Sequence, residues 1–491
     1  MPSGEIDRRG LPGGLIAVIA VTLAMRLVVG GLTHLTEDEA YYRLWSMAPA
    51  FGYYDHPPMI AWWIWLGRQI VGDTPLGVRV LPILASAVTS FLVFDMVRLV
   101  GADRQVAGRA GVWFNATLLV LAGGFLAVPD APASLFWSLC LWCALKALAS
   151  RPLAWWAAAG LAAGLATLSK YSTLFIAPGM LIWLCASPSG RSQLRAPGPW
   201  VAMAIAAAMF GANVIWNAHH HWLTFDKQFG RVAPHQFAPR YLVELFAGQA
   251  LLLNPVIALF AGAAVFTRPK PAQRAVDLTP FFALSAPFIA YLVLHSLHDR
   301  VQGHWPAPLY PMLSICAAVG AQRLGEGRGW RWLRQAAPGV GFSLGALAMV
   351  LLFAPGGALG RHDLALPLRG WPAFAGRLEA LRVSGGAAWV GTTSYGLASE
   401  LADEPGLSAP IIQLAERKRW NDLAVGVRAD LTKPGLAVDL TRRLSAPALG
   451  RCFTTVTPLG VITRGDPGEA GKPYAAFIVA GPRRDILAQG C

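Results

Sequence analysis

Three consecutive acids, Glu37-Asp38-Glu39, stand directly after an apolar run and are followed by Ala40-Tyr41-Tyr42. Further on comes Gly52-Tyr53-Tyr54-Asp55-His56-Pro57-Pro58. Acids beside a segment of membrane length are costly unless they are solvated or put to use. Two readings stay open for them. Asp38 can cap a helix that begins at Glu39, because acids favour helix N-termini. Alternatively, one of the carboxylates accepts a proton in a reaction. Asp55-His56-Pro57-Pro58 is either such a site or a turn with prolines entering a helix. The Trp-rich stretch Met59–Ile70 then reads as an interfacial amphipathic helix.

Other reactive side chains are scattered and each has a plain alternative. Asp130, in Val128-Pro129-Asp130-Ala131-Pro132, either reaches a site or caps a helix over 131–149. Lys170, in Leu168-Ser169-Lys170-Tyr171-Ser172, either meets an anion or snorkels to an interface. Arg300 follows Asp299 and can simply pair with it, while His304 opens His304-Trp305-Pro306. His219-His220-His221, with Asp226, invites a metal reading. Neighbouring histidines point different ways on a helix or strand, so an interfacial loop with Trp222 is the plainer reading.

The elements that must carry these residues are membrane helices. Of 491 residues, 55% are hydrophobic and only 14% charged, against about 25% charged in a soluble domain. Apolar runs fall near 13–33, 77–99, 107–128, 131–149, 152–169, 171–187, 199–217, 243–266, 279–297, 306–322 and 336–355. They predict about 11–13 transmembrane helices. Arg8 and Arg9 precede the first run, and no small-residue cleavage site follows it, so it reads as the first span rather than a signal peptide.

The net charge of +14 reads as topology rather than as affinity for nucleic acid. Arg104, Arg109, Arg151, Arg191, Arg195, Arg268, Lys270, Arg274, Arg323, Arg328, Arg331 and Arg334 lie in alternate connections, which predicts those connections to be cytoplasmic. The opposite connections hold the acids, the histidines and many aromatics. The expected organisation is a membrane domain over 1–355, with a first periplasmic loop at 34–76, and a periplasmic domain over 356–491.

That tail alternates short apolar segments (387–390, 411–414, 436–438, 453–456, 476–479) with helical ones such as 394–403, the pattern of a small α/β domain. It holds no nucleotide-binding glycine fingerprint, Walker loop or zinc spacing. Cys140, Cys143, Cys185 and Cys316 lie in apolar runs and read as reduced packing residues. Cys452 and Cys491 can pair if the tail is outside the cytoplasm.

Taken in order, Asp38-Glu39-Ala40-Tyr41-Tyr42, His56-Pro57-Pro58, Pro129-Asp130, Ser169-Lys170-Tyr171 and His304-Trp305-Pro306 resemble landmarks of the GT-C membrane glycosyltransferases. The resembling groups are protein O-mannosyltransferases, lipid A aminoarabinose transferases and lipopolysaccharide galacturonosyltransferases. The resemblance runs over about residues 30–325, and the tail is similar only in kind. It implies a sugar carried on a polyprenyl phosphate, a lipid, glycan or protein acceptor, and a membrane-lipid setting.

By this resemblance Asp38 is the general base. Glu39 would orient the acceptor or Asp38, and Asp130 would be a second carboxylate of the site. His56, Lys170, Arg300 and His304 are expected at the donor phosphate, where negative charge grows. Tyr41, Tyr42, Tyr54 and Asp55 are expected at the substrate. The aminoarabinose transferases carry Lys-Pro-Pro where this chain has His56-Pro57-Pro58. A histidine is a weaker, pH-dependent phosphate ligand, which shifts that role toward Lys170 and Arg300. The resemblance leaves a divalent metal possible and names no ligand for one. The competing reading is a transporter or flippase of lipid-linked saccharides, for which Arg26 and Asp95, charges within spans, would be the signature.

Overall fold

The computed structural model describes residues 10–150, 152–230, 237–269, 275–353, 363, 365–419, 429–465 and 471–491. Arg8, Arg9, Arg151, Lys270, Arg274 and the expected boundary at 355/356 lie outside the described residues. The chain forms two compact units: one of 1–30 and 80–347, the other of 31–79 and 348–491. The first loop therefore clusters with the tail.

The first unit is helical. All eleven apolar runs fold as helices, but not all as full spans. Gly13–Leu32, Pro75–Leu99, Asp130–Ser150, Pro197–His219, Thr279–Ser296 and Arg328–Phe353 are long and apolar enough to cross a membrane. Two further runs are bent pairs, Tyr171–Ala186 with Pro188–Leu194 at 116° and Arg240–Leu252 with Pro255–Phe266 at 111°. Counting each pair as one span gives up to eight among the described residues, fewer than the eleven to thirteen expected.

The other three runs become shorter helices. Residues 107–128 divide into Arg104–Asn115 and Leu118–Gly123, and the remaining two are Leu153–Thr167 and Tyr310–Arg323. Pro255 sits at the first position of its helix after Asn254, whose positive φ and side-chain cap turn the chain sharply. Hydropathy reads the two arms of such a bend as one run.

Helix packing in this unit depends on small residues and flat rings. A Cβ on Gly320 would meet the Phe260 carbonyl oxygen at 2.2 Å, so Tyr310–Arg323 and Pro255–Phe266 touch through backbone. Trp113 stacks on Phe260 with ring centroids 5.3 Å apart. Arg26 and Asp95, the charges that would mark a transporter, are tied internally. Arg26 donates to the Val120 carbonyl at 2.9 Å. Asp95 accepts from Trp142 Nε1 at 2.7 Å and lies 3.4 Å from Lys146 Nζ.

The second unit contains a five-stranded sheet. Its strands are β1 (Trp389–Thr392), β2 (Ile411–Gln413), β3 (Gly435–Leu440), β4 (Phe453–Arg464) and β5 (Lys472–Pro482), in the order β2-β1-β3-β5-β4. β1 runs parallel to both neighbours, with Val390 opposite Ile411 and Leu436. β3 and β4 run antiparallel to β5. Each predicted apolar segment became a strand, and the predicted helix is Tyr395–Asp403. β4 extends far past its apolar start, paired with β5 as far as Arg464 opposite Lys472, and most of its residues are exposed on the sheet edge. Cys452 and Cys491 are bonded, with Cα atoms 5.5 Å apart.

Candidate active site

The first loop builds a short helix, Glu37–Ser46, and its start is fixed by chemistry visible in the sequence. Thr36, not Asp38, is the cap. Its hydroxyl accepts from the Glu39 N–H, and Glu39 Oε2 accepts from the Thr36 N–H, a reciprocal capping box. The Glu39 carboxylate is also gripped by Arg79, with Nε to Oε1 at 2.8 Å and Nη2 to Oε2 at 2.6 Å. Arg79 further donates to the Thr33 and His34 carbonyls, both at 2.8 Å. Both side chains of this pair are 0% exposed. Glu39, expected to orient acceptor or base, is thus an internal anchor, and Arg79 serves it rather than an outer anion.

Capping frees Asp38, which is exposed one residue before the anchor. Its Oδ1 accepts from the Tyr395 hydroxyl at 3.0 Å, and among the described residues its other oxygen carries no hydrogen bond. Tyr395 opens the helix that follows β1. Burial, then the nearby Asp38 carboxylate, push the Tyr395 phenol above its ordinary value, so it keeps its proton and donates.

Behind this pair lies a second ion pair, Arg419 with Asp55. Arg419 Nε also donates to Glu416 Oε2 at 2.5 Å. The guanidinium stands over the rings of Tyr395 at 4.4 Å, Tyr54 at 4.9 Å and Tyr41 at 6.0 Å. Burial opposes its charge, but Asp55, Tyr41 and Glu416 outweigh that and hold Arg419 above its ordinary value. Tyr41 packs on Tyr395 with centroids 4.9 Å apart, and Tyr42 meets the His56 ring edge-on at 6.1 Å. Asp38, Tyr41, Tyr54 and Asp55 are therefore gathered around Tyr395 and Arg419. Both partners come from the tail, and sequence reading had assigned neither. One signal was available: Tyr395 and Arg419 follow the carboxyl ends of parallel strands β1 and β2. β1 is also where the strand order reverses, the usual crevice of an open α/β sheet.

In the first unit, Lys170 Nζ lies 2.6 Å from Asp130 Oδ1, and His304 Nε2 lies 3.9 Å from Asp130 Oδ2. Asp130 sits in the first turn of Asp130–Ser150. Lys170 is extended between Leu153–Thr167 and a short 3-10 turn, Tyr171–Phe175. The two side chains are 7% and 12% exposed, so Lys170 does not snorkel away. Arg300 stands elsewhere: it bonds Glu244 at 2.7 Å and is 64% exposed. It thus pairs with Glu244, and neither Asp130 nor Lys170 is among its partners in the structure. The triple histidine ends the helix Pro197–His219, where His220 stacks on Trp216 with centroids 3.9 Å apart. Among the described residues no three His, Cys, Asp or Glu side chains gather to hold a metal ion.

Residues 55–216 match the family of dolichyl-phosphate-mannose-protein mannosyltransferases. The lipid A galacturonosyltransferase RgtD of Rhizobium johnstonii is 27% identical over 364 residues, 72% of either chain. ArnT from Cupriavidus metallidurans bound to undecaprenyl phosphate superposes with a TM-score of 0.64 at 15% identity, covering 94% of this chain and 98% of that one. Its apo form gives 0.58 over the same shares. At that identity the likeness is one of fold. Together with the landmark residues, these findings make the chain a membrane glycosyltransferase with the GT-C fold.

Proposed function

We propose that this enzyme transfers a sugar from a polyprenyl-phosphate donor to an acceptor hydroxyl at the periplasmic face of the inner membrane, with inversion. A lipid A glycan is the acceptor favoured by the likeness to a lipid A galacturonosyltransferase. The donor class is supported by the likeness in fold to a protein bound to undecaprenyl phosphate. The Cys452–Cys491 bond suits an oxidising compartment, and the lysine and arginine bias of the alternate connections agrees.

The observation that carries the reading is Asp38: an exposed carboxylate with one oxygen held and the other without a hydrogen bond among the described residues. In the reaction, the acceptor oxygen bonds to the anomeric carbon while Asp38 takes its proton. The bond from that carbon to the phosphate oxygen breaks, and its electron pair leaves on the polyprenyl phosphate. Lys170, oriented by Asp130 and with His304 near the same carboxylate, forms a cationic cluster whose chemistry suits an anionic phosphate. His56, Tyr42 and Tyr54 are read as lining the sugar or acceptor, since flat rings suit sugar faces. One base and a single displacement give inversion.

The test is a panel of polyprenyl-phosphate sugars offered to the purified protein with a lipid A acceptor, products read by mass spectrometry. At least one donor should yield glycosylated acceptor and free polyprenyl phosphate together. Hydrolysis or transfer with none of them overturns the reading.

A further inference from the structure

The tail does more than follow the catalytic loop. Tyr395 is the first residue of its helix, and it reaches that position because β1 ends at Thr392. Residue 396 has no side chain, and a Cβ there would meet Glu37 Oε2 at 2.6 Å. Glycine thus lets the Tyr395–Asp403 helix approach the acids closely enough for a hydrogen bond to Asp38. Two further ties fix that helix to the first loop: Arg43 to Asp403 at 2.8 Å, and His34 Nε2 to Glu404 at 2.7 Å.

Resting on the reading of Asp38 as base, we propose that Tyr395 is a positioning residue: its hydroxyl holds the Asp38 carboxylate ready to accept a proton, and Arg419 fixes the Tyr395 ring. Three features assign this role. The hydroxyl lies 3.0 Å from one Asp38 oxygen, and the other carries no hydrogen bond among the described residues. The ring is clamped between Tyr41 and the Arg419 guanidinium, itself pinned by Asp55 and Glu416. The charged groups facing Tyr395 are Asp38 and Asp55 from the loop and Arg419 from the tail, with Glu37 beside Asp38 on its own helix. A neutral donor in that setting steadies a carboxylate without neutralising it, as a lysine would by forming an ion pair.

Donation from a fixed hydroxyl holds a carboxylate in one orientation. Without that donor the carboxylate swings about its side-chain bonds, and fewer of its orientations can take the acceptor proton. The experiment uses the full-length protein with the donor and acceptor found active above. Tyr395→Phe should lower kcat roughly tenfold and leave KM for the donor unchanged. Arg419→Lys, which keeps charge but loses the planar stack, should show the same kcat loss in smaller measure and covers the case in which Tyr395→Phe does not fold. An unchanged kcat in the folded variants, or a loss carried by the donor KM, with Asp38→Asn inactive, overturns the positioning role alone. Full activity of Asp38→Asn instead overturns the base itself, and this inference with it.

Discussion

Among single residues, the acids of the first loop divide their labour by burial. Glu39 has no exposed surface and accepts from the Thr36 N–H and hydroxyl and from Arg79 Nε and Nη2, while its neighbour Asp38 is exposed. Leaving one half of a buried ion pair costs about 3–5 kcal/mol. Arg79→Ala should therefore lower thermal stability sharply in a melting experiment, and Glu39→Gln should do the same less severely, since the amide still satisfies the Thr36 cap. Lys170 makes a contrasting case. Its partner Asp130 holds it in place, so Lys170→Ala should raise the dissociation constant for a polyprenyl phosphate while the fold persists, measured by titrating the lipid into detergent-solubilised protein. An unchanged constant would remove Lys170 from the phosphate. Asp38, Asp130 and Lys170 stood out because acids and lysines beside apolar runs are costly and therefore noticeable. Arg300 stood out for the same reason, and in the structure its charge is met by Glu244 on the surface. Tyr395 and Arg419 were hidden because a tyrosine or arginine in a soluble domain is unremarked until long-range pairing brings it beside a loop more than 350 residues away.

At the scale of elements, the sheet of the tail was readable from its apolar segments, and its edge strand was not, since exposed residues leave no apolar signal. Helix number was over-read where a polar or kinked break falls inside one apolar run. The Tyr395–Asp403 helix carries Glu400, which is fully buried with neither oxygen hydrogen-bonded among the described residues, the His34 ring nitrogen Nδ1 lying 3.4 Å from Oε2. Burial, then the nearby Glu37 carboxylate, push its carboxyl well above the ordinary value of 4.5. The folded form thus keeps a proton that the unfolded chain gives up above that value. Stability must fall as pH rises through and beyond the ordinary carboxylate range. Glu400→Gln should flatten that slope and raise the melting temperature at neutral pH, with no gain below about pH 4; a parallel fall in both proteins would show that Glu400 is ionised in the fold. Asp73 is the opposite case: burial works against its charge, but Arg68 and Arg43 win and hold it at about 2. Its contribution is present above the ordinary value of 3.8 and is lost only as pH falls toward 2. The Cys452–Cys491 bond closes a separation of 39 residues, worth about 4 kcal/mol on the chain-entropy account. Reduction should lower the melting temperature of the tail, read by scanning calorimetry with and without a thiol.

For the whole molecule, composition alone fixed membrane embedding, because 14% charged residues cannot cover a soluble protein of 491 residues. Chemistry was legible only through the order of several weak landmarks along the chain. Substrate identity stayed illegible, since pocket shape is set by side chains from many segments. Orientation has its own check: a periplasm-dependent reporter fused after Cys491 should be active, and a cytoplasm-dependent one silent. The most direct test of the central claim is turnover of a polyprenyl-phosphate sugar by wild type and Asp38→Asn under saturating donor. Loss of the base predicts a fall in kcat of about 10²–10⁴-fold with donor KM little changed. Wild-type turnover by Asp38→Asn would contradict the account.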